Sequence, residues 1–145
     1  DHTYLTRDFI VTHNTYTALR LAFEMKRRGI GKRIVVIDSE NESAGLYAGV
    51  FEDGEVWDYD TVDMPRDKRN PAGYTEAYEW AVGQGYDIVI IDSLSHAWHG
   101  ALQAVDQFAK THRGDKFGGW ADISPQQQQM IQALTDTRAH CISTM

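Results

Sequence analysis

Two aliphatic runs, each followed directly by Asp-Ser, constrain the fold of this chain more than any other feature. Residues 34–37 precede Asp38 and Ser39, and residues 88–91 precede Asp92 and Ser93. A continuous aliphatic run is typical of a strand buried on both faces, as in a parallel sheet covered by helices. Because ligands bind beyond the carboxyl ends of such strands, we expect the two acids to lie together at a ligand site.

The segments around these strands have the periodicity of helices. Apolar residues recur at helical spacing over residues 15–28, and Asn70-Pro71 is a typical helix start, with Asn as the N-cap and Pro at the first position. We predict further helices over 101–110 and from Ser124-Pro125 to 134, with a glycine-rich loop over 112–119 between them. A third strand is predicted over 139–144, a short strand at 56–57 and a short helix around 44–48. The alternation predicts an α/β fold with a mostly parallel sheet.

Composition narrows the class of protein further. The length of 145 residues suits one domain, and the formal net charge of -7 gives no overall basic field for nucleic acid or an anionic membrane. The aliphatic runs are far shorter than the ~18 residues that a membrane span needs. Cys141 is the single cysteine, which excludes an internal disulfide and a multi-cysteine zinc site. The chain opens without methionine and stops inside an apolar segment, so we expect a fragment of a longer reading frame.

An acid after four apolar residues is the Walker B pattern, in which the carboxylate is fixed by burial and can hold Mg²⁺. An ordinary turn or helix cap is the alternative for either acid. A phosphate-binding loop, G-x-x-x-x-G-K-[ST], should then precede the first helix. Residues 9–15 read FIVTHNT, and only Thr15 fits that pattern. The chain as written therefore lacks the glycines and the lysine that hold a triphosphate.

Residues 15–145 resemble phage-type ATPases with a RecA-like P-loop core, often described as AAA-family ATPases. The matching stretches are TYTALRLA at 15–22, GKRIVVIDSENESAGLYA at 31–48, GYDIVIIDSLSHAW at 85–98, KFGGWADISP at 116–125 and AHCISTM at 139–145. The resemblance implies ATP and Mg²⁺ as cofactors, with Thr15 and Asp92 as metal ligands. It also implies that Glu40 activates the attacking water, and that the P-loop core is incomplete at both ends of this chain.

Residues 1–14 have strand character, with a turn expected near Arg7-Asp8, and they resemble the C-terminal end of an intein. The residues on which this resemblance rests are HTYL at 2–5 and Val-Thr-His13-Asn14 followed by Thr15. In that resemblance Asn14 cyclises and cleaves the Asn14–Thr15 bond, His13 assists the proton transfer, and the Thr15 hydroxyl takes the upstream segment as an ester. The implied domains are an intein tail at 1–14 and a partial P-loop ATPase domain at 15–145, with the intein inserted in the Walker A motif.

The function implied is ATP hydrolysis after splicing, in DNA recombination or replication. Single-stranded DNA and further copies of the chain are the candidate partners besides ATP, no membrane partner is expected, and the implied location is the cytoplasm of a bacterial host cell. The alternative is a non-catalytic α/β module whose degenerate P-loop binds no nucleotide and which acts through protein contacts. A third reading treats the chain as one half of a split intein.

Several other features have simpler interpretations. His96 and His99 have H-x-x-H spacing without a third ligand in register, and we expect them in a loop at the rim of the site rather than on zinc. The basic cluster at 26–33 is typical of a solvated helix end, with DNA contact as the alternative. Trp120 is interpreted as packed rather than as a base-stacking residue, and Cys141 as part of the core.

Overall fold

Four helices and eight strands make up the part of the chain that the computed structural model describes, namely residues 3–5, 11–40, 47–50, 54, 56–135 and 138–145. The helices are α1 (Asn14–Arg27), α2 (Pro71–Gly83), α3 (Ser95–Thr111) and α4 (Lys116–Leu134). The strands are β1 (Thr3–Leu5), β2 (Val11–His13), β3 (Ile34–Asp38), β4 (Gly49–Val50), β5 (Val56–Trp57), β6 (Asp60–Asp63), β7 (Ile88–Asp92) and β8 (His140–Ser143). A 3-10 turn spans Arg66–Lys68.

The main sheet contains four strands in the order β6-β3-β7-β8, and every neighbouring pair is parallel. Its register aligns Asp38 with Asp92, so the last residues of β3 and β7 lie side by side. This confirms the predicted α/β fold with a mostly parallel sheet.

Helices cover both faces of this sheet. All five residues of β3 and of β7 are buried. One face packs against α1 through Leu19, Ala22 and Phe23. The other face packs against α2 and α4, with Tyr74 and Tyr78 completely buried between them. The two aliphatic runs are therefore buried on both sides, as their lack of polar alternation predicted.

Two small antiparallel pairs lie outside the main sheet. β1 pairs with β2, and β4 pairs with β5. The strand character of residues 1–14 and the short strand at 56–57 are thus confirmed within the described residues. The turn expected near Arg7-Asp8 and most of the short helix expected around 44–48 fall outside them.

The start of α2 is the one that the sequence indicates. The Asn70 side chain accepts a hydrogen bond from the Gly73 backbone N–H (3.0 Å), and Pro71 is the first helical residue. An N-cap of this kind satisfies one of the backbone donors that a helix leaves unpaired in its first turn.

The helices after β7 correct the prediction. α3 begins at Ser95 rather than at residue 101, and α4 begins at Lys116, so residues 116–119 are helical and the predicted glycine-rich loop is too long. Ser124-Pro125 lies inside α4 and does not start it. The Asp115 side chain is the true N-cap and accepts from the Gly118 N–H (2.8 Å). Proline suits a first helical turn, which made Ser124-Pro125 resemble a cap.

The edge strand β6 has no counterpart among the predictions. Its sequence, DTVD, contains one aliphatic residue, and only that residue is even partly buried. An edge strand needs no apolar run, because solvent covers one side of it. The part of the chain that the structure describes contains no helix with the length and hydrophobicity of a membrane span.

Candidate active site

The site lies where the carboxyl ends of β3, β7 and β8 meet the start of α1. Asp92 ends β7 and is 2% exposed. Its Oδ2 accepts a hydrogen bond from the Thr15 hydroxyl at the start of α1, and its Oδ1 accepts one from the Thr144 hydroxyl directly after β8 (2.5 Å). Two hydroxyl donors therefore hold a buried carboxylate in one orientation, which is how a buried charge is stabilised.

Glu40 reaches the same place from the end of β3. Its backbone N–H donates to Asp38 Oδ1 (2.6 Å), so Asp38 acts as the turn residue that the sequence left open as its alternative role. Glu40 Oε1 accepts a hydrogen bond from the Ser93 hydroxyl (2.8 Å), and the Glu40 side chain is 11% exposed. The carboxylate is thus fixed next to the end of β7.

A buried hydroxyl network lies beneath Glu40. The Ser39 hydroxyl lies 3.1 Å from the carbonyl oxygens of both Asp92 and Ser93, and it accepts from the Ser93 N–H (3.0 Å). The Tyr74 hydroxyl, from α2, donates toward Ser39 Oγ (3.0 Å) or the Ser93 carbonyl (2.9 Å). Burial raises the pKa of Tyr74, while its hydrogen bond to Ser39 acts in the opposite direction. The network joins the turns that follow β3 and β7 to a helix of the covering layer.

His96 and His99 lie in the first turns of α3, whereas the sequence led us to expect them in a loop. The two rings face each other edge to face, with centroids 6.3 Å apart. His96 Nδ1 lies 3.0 Å from Ser39 Oγ and 3.5 Å from Glu40 Oε1. Among the residues described, no group of three or more His, Cys, Asp or Glu side chains is arranged to hold a metal ion.

One cavity of about 160 Å³ contains these groups, and its lining includes the residues for which the resemblances imply a role in ATP hydrolysis or splicing: Asn14, Thr15, Glu40 and Asp92. Ser93, Ser95, His96, His99 and Met145 complete the lining. Ligand pockets for whole small molecules are usually ~300–1,000 Å³, so this cavity suits one end of a nucleotide rather than all of it. The Asn14 side-chain amide donates to the Met145 carbonyl (3.1 Å) across one side of it. The side chain of His13 is outside the described residues.

A phosphate-binding loop is missing at the point where α1 begins. β2 ends at His13 and α1 begins at Asn14, so strand leads directly into helix. A phosphate loop would need several residues there whose backbone N–H groups point toward the ligand. This geometry agrees with the absence of the glycines and lysine from residues 9–14.

The oxygen atoms that face the cavity fit a magnesium ion. Thr15 Oγ1 and Asp92 Oδ2 lie in direct contact, one at the start of α1 and one at the end of β7. Mg²⁺ prefers oxygen ligands and is usually held by one or two protein groups together with substrate phosphates. A hydroxyl and a carboxylate that converge on a small cavity match that ligand set.

Three residues of the site were not singled out for it from the sequence: Thr144, Tyr74 and Ser39 in its hydrogen-bonding role. Thr144 is the last residue of the strand predicted over 139–144, so the same rule about carboxyl ends could have found it. A buried tyrosine must find a partner for its hydroxyl, but its sequence position does not say which partner.

The remaining candidates have structural explanations. In the basic cluster, Arg28 donates to Glu24 (2.8 Å), and this contact holds the pKa of Glu24 below its ordinary value. Trp120 is partly buried and stacks on Trp98, with ring centroids 5.6 Å apart. Cys141 is partly buried against the core, and burial raises the pKa of its thiol to about 11. DNA contact by the basic cluster stays an untested alternative.

Comparison with known proteins gives one match. A family model described as an AAA domain matches residues 15–145. No curated protein and no solved structure matches the chain. The match begins at Thr15, the residue whose hydroxyl contacts Asp92, and it includes both strands that end in acids. Over residues 15–145 the chain belongs to the AAA-domain family of P-loop ATPases, a membership that indicates ATP binding and hydrolysis.

Proposed function

We propose that residues 15–145 hydrolyse ATP once a glycine-rich loop ending in Gly-Lys precedes Thr15, and that the resulting phage-type, RecA-like enzyme acts in DNA recombination or replication. The observation that carries the proposal is the contact between the Thr15 hydroxyl and the Asp92 carboxylate, in a cavity that Glu40 also lines. An ion ligand from the first helix, an acid from the neighbouring strand and a second acid beside them are the groups that phosphoryl transfer to water requires.

Each residue has a distinct role in this proposal. Thr15 and Asp92 would hold Mg²⁺, which when bound neutralises charge on the phosphate oxygens. Glu40 orients the attacking water and takes its proton. The water oxygen then bonds to the terminal phosphorus while the bond from that phosphorus to the ADP oxygen breaks. Ser93 donates to Glu40 Oε1 and so fixes the carboxylate for this step.

The first prediction concerns ATP binding. The 145-residue chain without a glycine-rich loop should show no micromolar affinity for ATP with Mg²⁺ in calorimetry, because the loop amides and the lysine are absent. The same chain with a glycine-rich loop ending in Gly-Lys before Thr15 should bind in about the micromolar range. Micromolar ATP binding by the chain without the added loop would contradict the proposal. Failure of the loop-restored chain to bind would favour the non-catalytic module.

The second prediction separates catalysis from binding. In the loop-restored chain, Glu40→Gln should lower kcat by roughly 10²–10⁴-fold, the usual contribution of a general base, and leave the Kd for ATP unchanged. Glu79→Gln is the matched control, since Glu79 is exposed and pairs with Arg138 on the surface. Equal loss of binding and hydrolysis in Glu40→Gln would make Glu40 a structural residue.

Self-splicing at the Asn14–Thr15 bond is a second proposed function. Two observations support it: the family match begins at Thr15, and the antiparallel β1–β2 pair ends at His13, directly before Asn14. In this reaction the upstream acyl group, first carried as a thioester or ester on the Cys or Ser that begins the intein, passes to the Thr15 hydroxyl oxygen, and the thiol or hydroxyl of that first residue leaves. The Asn14 side-chain nitrogen then attacks its own carbonyl carbon, closes a succinimide and releases the Thr15 amine. That amine attacks the ester carbonyl, which forms the new peptide bond and regenerates the hydroxyl.

Three substitutions in a precursor that carries the upstream intein test this chemistry by mass spectrometry. Asn14→Ala should leave the intein attached to residues 15–145. Thr15→Ala should release the downstream piece without joining it, because Asn14 still cyclises. His13→Ala should slow cleavage without abolishing it, since general acid–base help contributes ~10²–10⁴-fold. An intact wild-type precursor, or joined product from Asn14→Ala, would show that residues 1–14 are not a working intein end.

A further inference from the structure

We infer that His96 is a positioning residue for Glu40: its ring holds the carboxylate in the orientation that activates water. The inference rests on the proposed ATPase function and adds a residue to which the proposal gives no role. His96 lies on α3, whereas Glu40 follows β3, so the contact between them ties α3 to the turn that carries Glu40.

The geometry places His96 against two groups at once. Its Nδ1 lies 3.0 Å from Ser39 Oγ and 3.5 Å from Glu40 Oε1. The same oxygen of Glu40 accepts from the Ser93 hydroxyl at 2.8 Å. Two contacts to one oxygen from separate elements restrict the torsion angles of a glutamate side chain, which otherwise has several rotamers.

Hydrogen-bond capacity shows why the ring stays in place. A serine hydroxyl has one proton and two lone pairs, and the Ser93 N–H, which can only donate, fills one lone pair of Ser39. When Nδ1 carries the proton, His96 donates toward Ser39 Oγ and Glu40 Oε1, and this is the tautomer that holds Glu40. In the other tautomer Nδ1 accepts a hydrogen bond from the Ser39 hydroxyl. Ser39 is completely buried and also contacts Tyr74, so both tautomers of His96 are anchored to the same fixed hydroxyl.

The burial of the two partners fits a positioning role. The His96 side chain is 29% exposed and that of Glu40 is 11% exposed. A ring at the cavity wall can restrain the carboxylate while leaving the cavity open to water and substrate. His96 therefore acts through Glu40, and removing it should lower kcat more than it changes substrate binding.

Kinetics of the loop-restored chain test the role. His96→Ala should lower kcat by about tenfold or more and leave the Kd for ATP within about twofold, as the loss of an orienting partner typically does. His96→Asn places a polar atom near the position of Nδ1 and should restore most of kcat. His96→Gln places its polar atoms near Nε2 and should not. His140→Ala is the control, because His140 is an exposed histidine on β8.

NMR of the imidazole nitrogens in the 145-residue chain, without the added loop, tests the contact between His96 and Glu40 and needs no ATPase assay. The ring nitrogen resonances of His96 should shift in Glu40→Gln, since the carboxylate next to Nδ1 becomes a neutral amide. They should stay unchanged in Glu79→Gln. If His96→Ala does not fold, kcat is compared between the wild type and His96→Gln instead, because glutamine nearly preserves the side-chain volume of histidine.

The outcomes separate this inference from the proposed function. An active wild-type enzyme with unchanged kcat in His96→Ala and His96→Gln overturns the role of His96 and leaves the ATPase proposal standing. Equal rescue by Asn and Gln overturns the role of Nδ1, and unshifted His96 resonances in Glu40→Gln overturn the contact. A loop-restored wild type that neither binds nor hydrolyses ATP overturns the proposed function, and the role of His96 falls with it.

Discussion

At the scale of single residues, Asp92 is held by two distant parts of the chain. It is buried, and hydroxyls from two other elements contact its two oxygens. Its donors lie far away in the sequence: Thr15 is 77 residues before it and Thr144 is 52 residues after it. A buried carboxylate that loses one donor keeps its desolvation cost, so each hydroxyl matters for stability as well as for the site.

Thr144→Val tests this stabilisation directly. Valine has nearly the shape of threonine, so the change removes the hydrogen bond to Asp92 Oδ1 and leaves the packing in place. We expect the free energy of unfolding to fall by about 1–3 kcal/mol in urea denaturation, the cost of an unsatisfied buried acceptor. Thr135→Val is the control: the Thr135 hydroxyl donates to a carbonyl of its own helix in an exposed position, and its loss should cost less than about 0.5 kcal/mol.

The Cys141 thiol should react slowly with alkylating reagents in the folded protein. Burial raises its pKa to about 11, and only the thiolate reacts. At pH 8 iodoacetamide should modify Cys141 about 100-fold more slowly than it modifies the unfolded chain in urea, with the adduct followed by mass spectrometry. Because the unfolded thiol ionises at lower pH than the folded one, raising the pH above about 8.5 should favour unfolding. Equal rates in the folded and unfolded chains would contradict this burial.

What the sequence could predict about residues depended on whether a local pattern carried the information. Asp92 ends an aliphatic run, and Thr15 and Glu40 stand where the family resemblance expects them. The association of Asp92 and Glu40 in one cavity follows from the parallel sheet, whose strands end at the same edge, whereas Thr15 comes from the start of α1. Tyr74 contacts Ser39 through a hydroxyl from a separate helix, and no local spacing encodes which buried donor meets which acceptor.

At the scale of elements, α3 and the start of α2 approach each other closely at Gly100. A Cβ added to Gly100 would lie 2.0 Å from the Arg69 carbonyl oxygen and 2.9 Å from Asn70 Cα. Both atoms belong to the backbone that leads into the Asn70 cap of α2. The two helices can pack at this distance only because position 100 has no side chain.

Gly100→Ala should therefore destabilise the fold although alanine favours helices. We expect the free energy of unfolding to fall by about 1–3 kcal/mol, because the backbone at residues 69–70 must move to accommodate the new methyl group. Gly83→Ala in α2 is the matched control: a Cβ there meets nothing within 4 Å, and better helix propensity should leave stability unchanged or raised by up to ~1 kcal/mol. A neutral Gly100→Ala variant would show that the α2–α3 contact is loose.

Helices and strands were predictable where the sequence contains a continuous aliphatic run or a clear helix cap. β3, β7 and α2 have an aliphatic run or an Asn-Pro start, and they lie close to the predicted positions. The interior of α4 misled the prediction because Pro125 and two glycines, Gly118 and Gly119, oppose helix formation locally. Gly119 is buried next to Val105 of α3, so tertiary packing outweighs its low helix propensity.

At the scale of the whole molecule, the β1–β2 pair stands apart from the main sheet. It forms its own two-stranded sheet. The proposed boundary between residues 1–14 and 15–145 runs between the two. A separate domain after Asn14 should keep its fold when residues 1–14 are removed.

Removal of residues 1–14 tests that boundary. The chain 15–145 should keep its circular dichroism spectrum and melt within about 4–8 °C of the full chain, since the proposed boundary places the ATPase fold after Asn14 and the removal costs the Asn14 contact with the Met145 carbonyl, a bond of about 1 kcal/mol. A chain of residues 15–145 with the Gly100→Ala change provides a destabilised reference. A much larger drop in Tm, or loss of the folded spectrum, would place residues 1–14 within the domain.

The sheet order has a kinetic consequence. No two neighbours in the β6-β3-β7-β8 sheet are joined by a tight turn, and β7 must wait for β8, which begins about 50 residues later at His140. Proteins dominated by such distant pairings fold slowly, since loop closure precedes the stabilising contacts. On the ribosome, Asp92 leaves the exit tunnel well before the Thr144 hydroxyl that completes its surroundings. Synthesis must therefore reach residue 144 before the carboxylate acquires this partner, and a chain interrupted earlier keeps the proposed ion site unfinished.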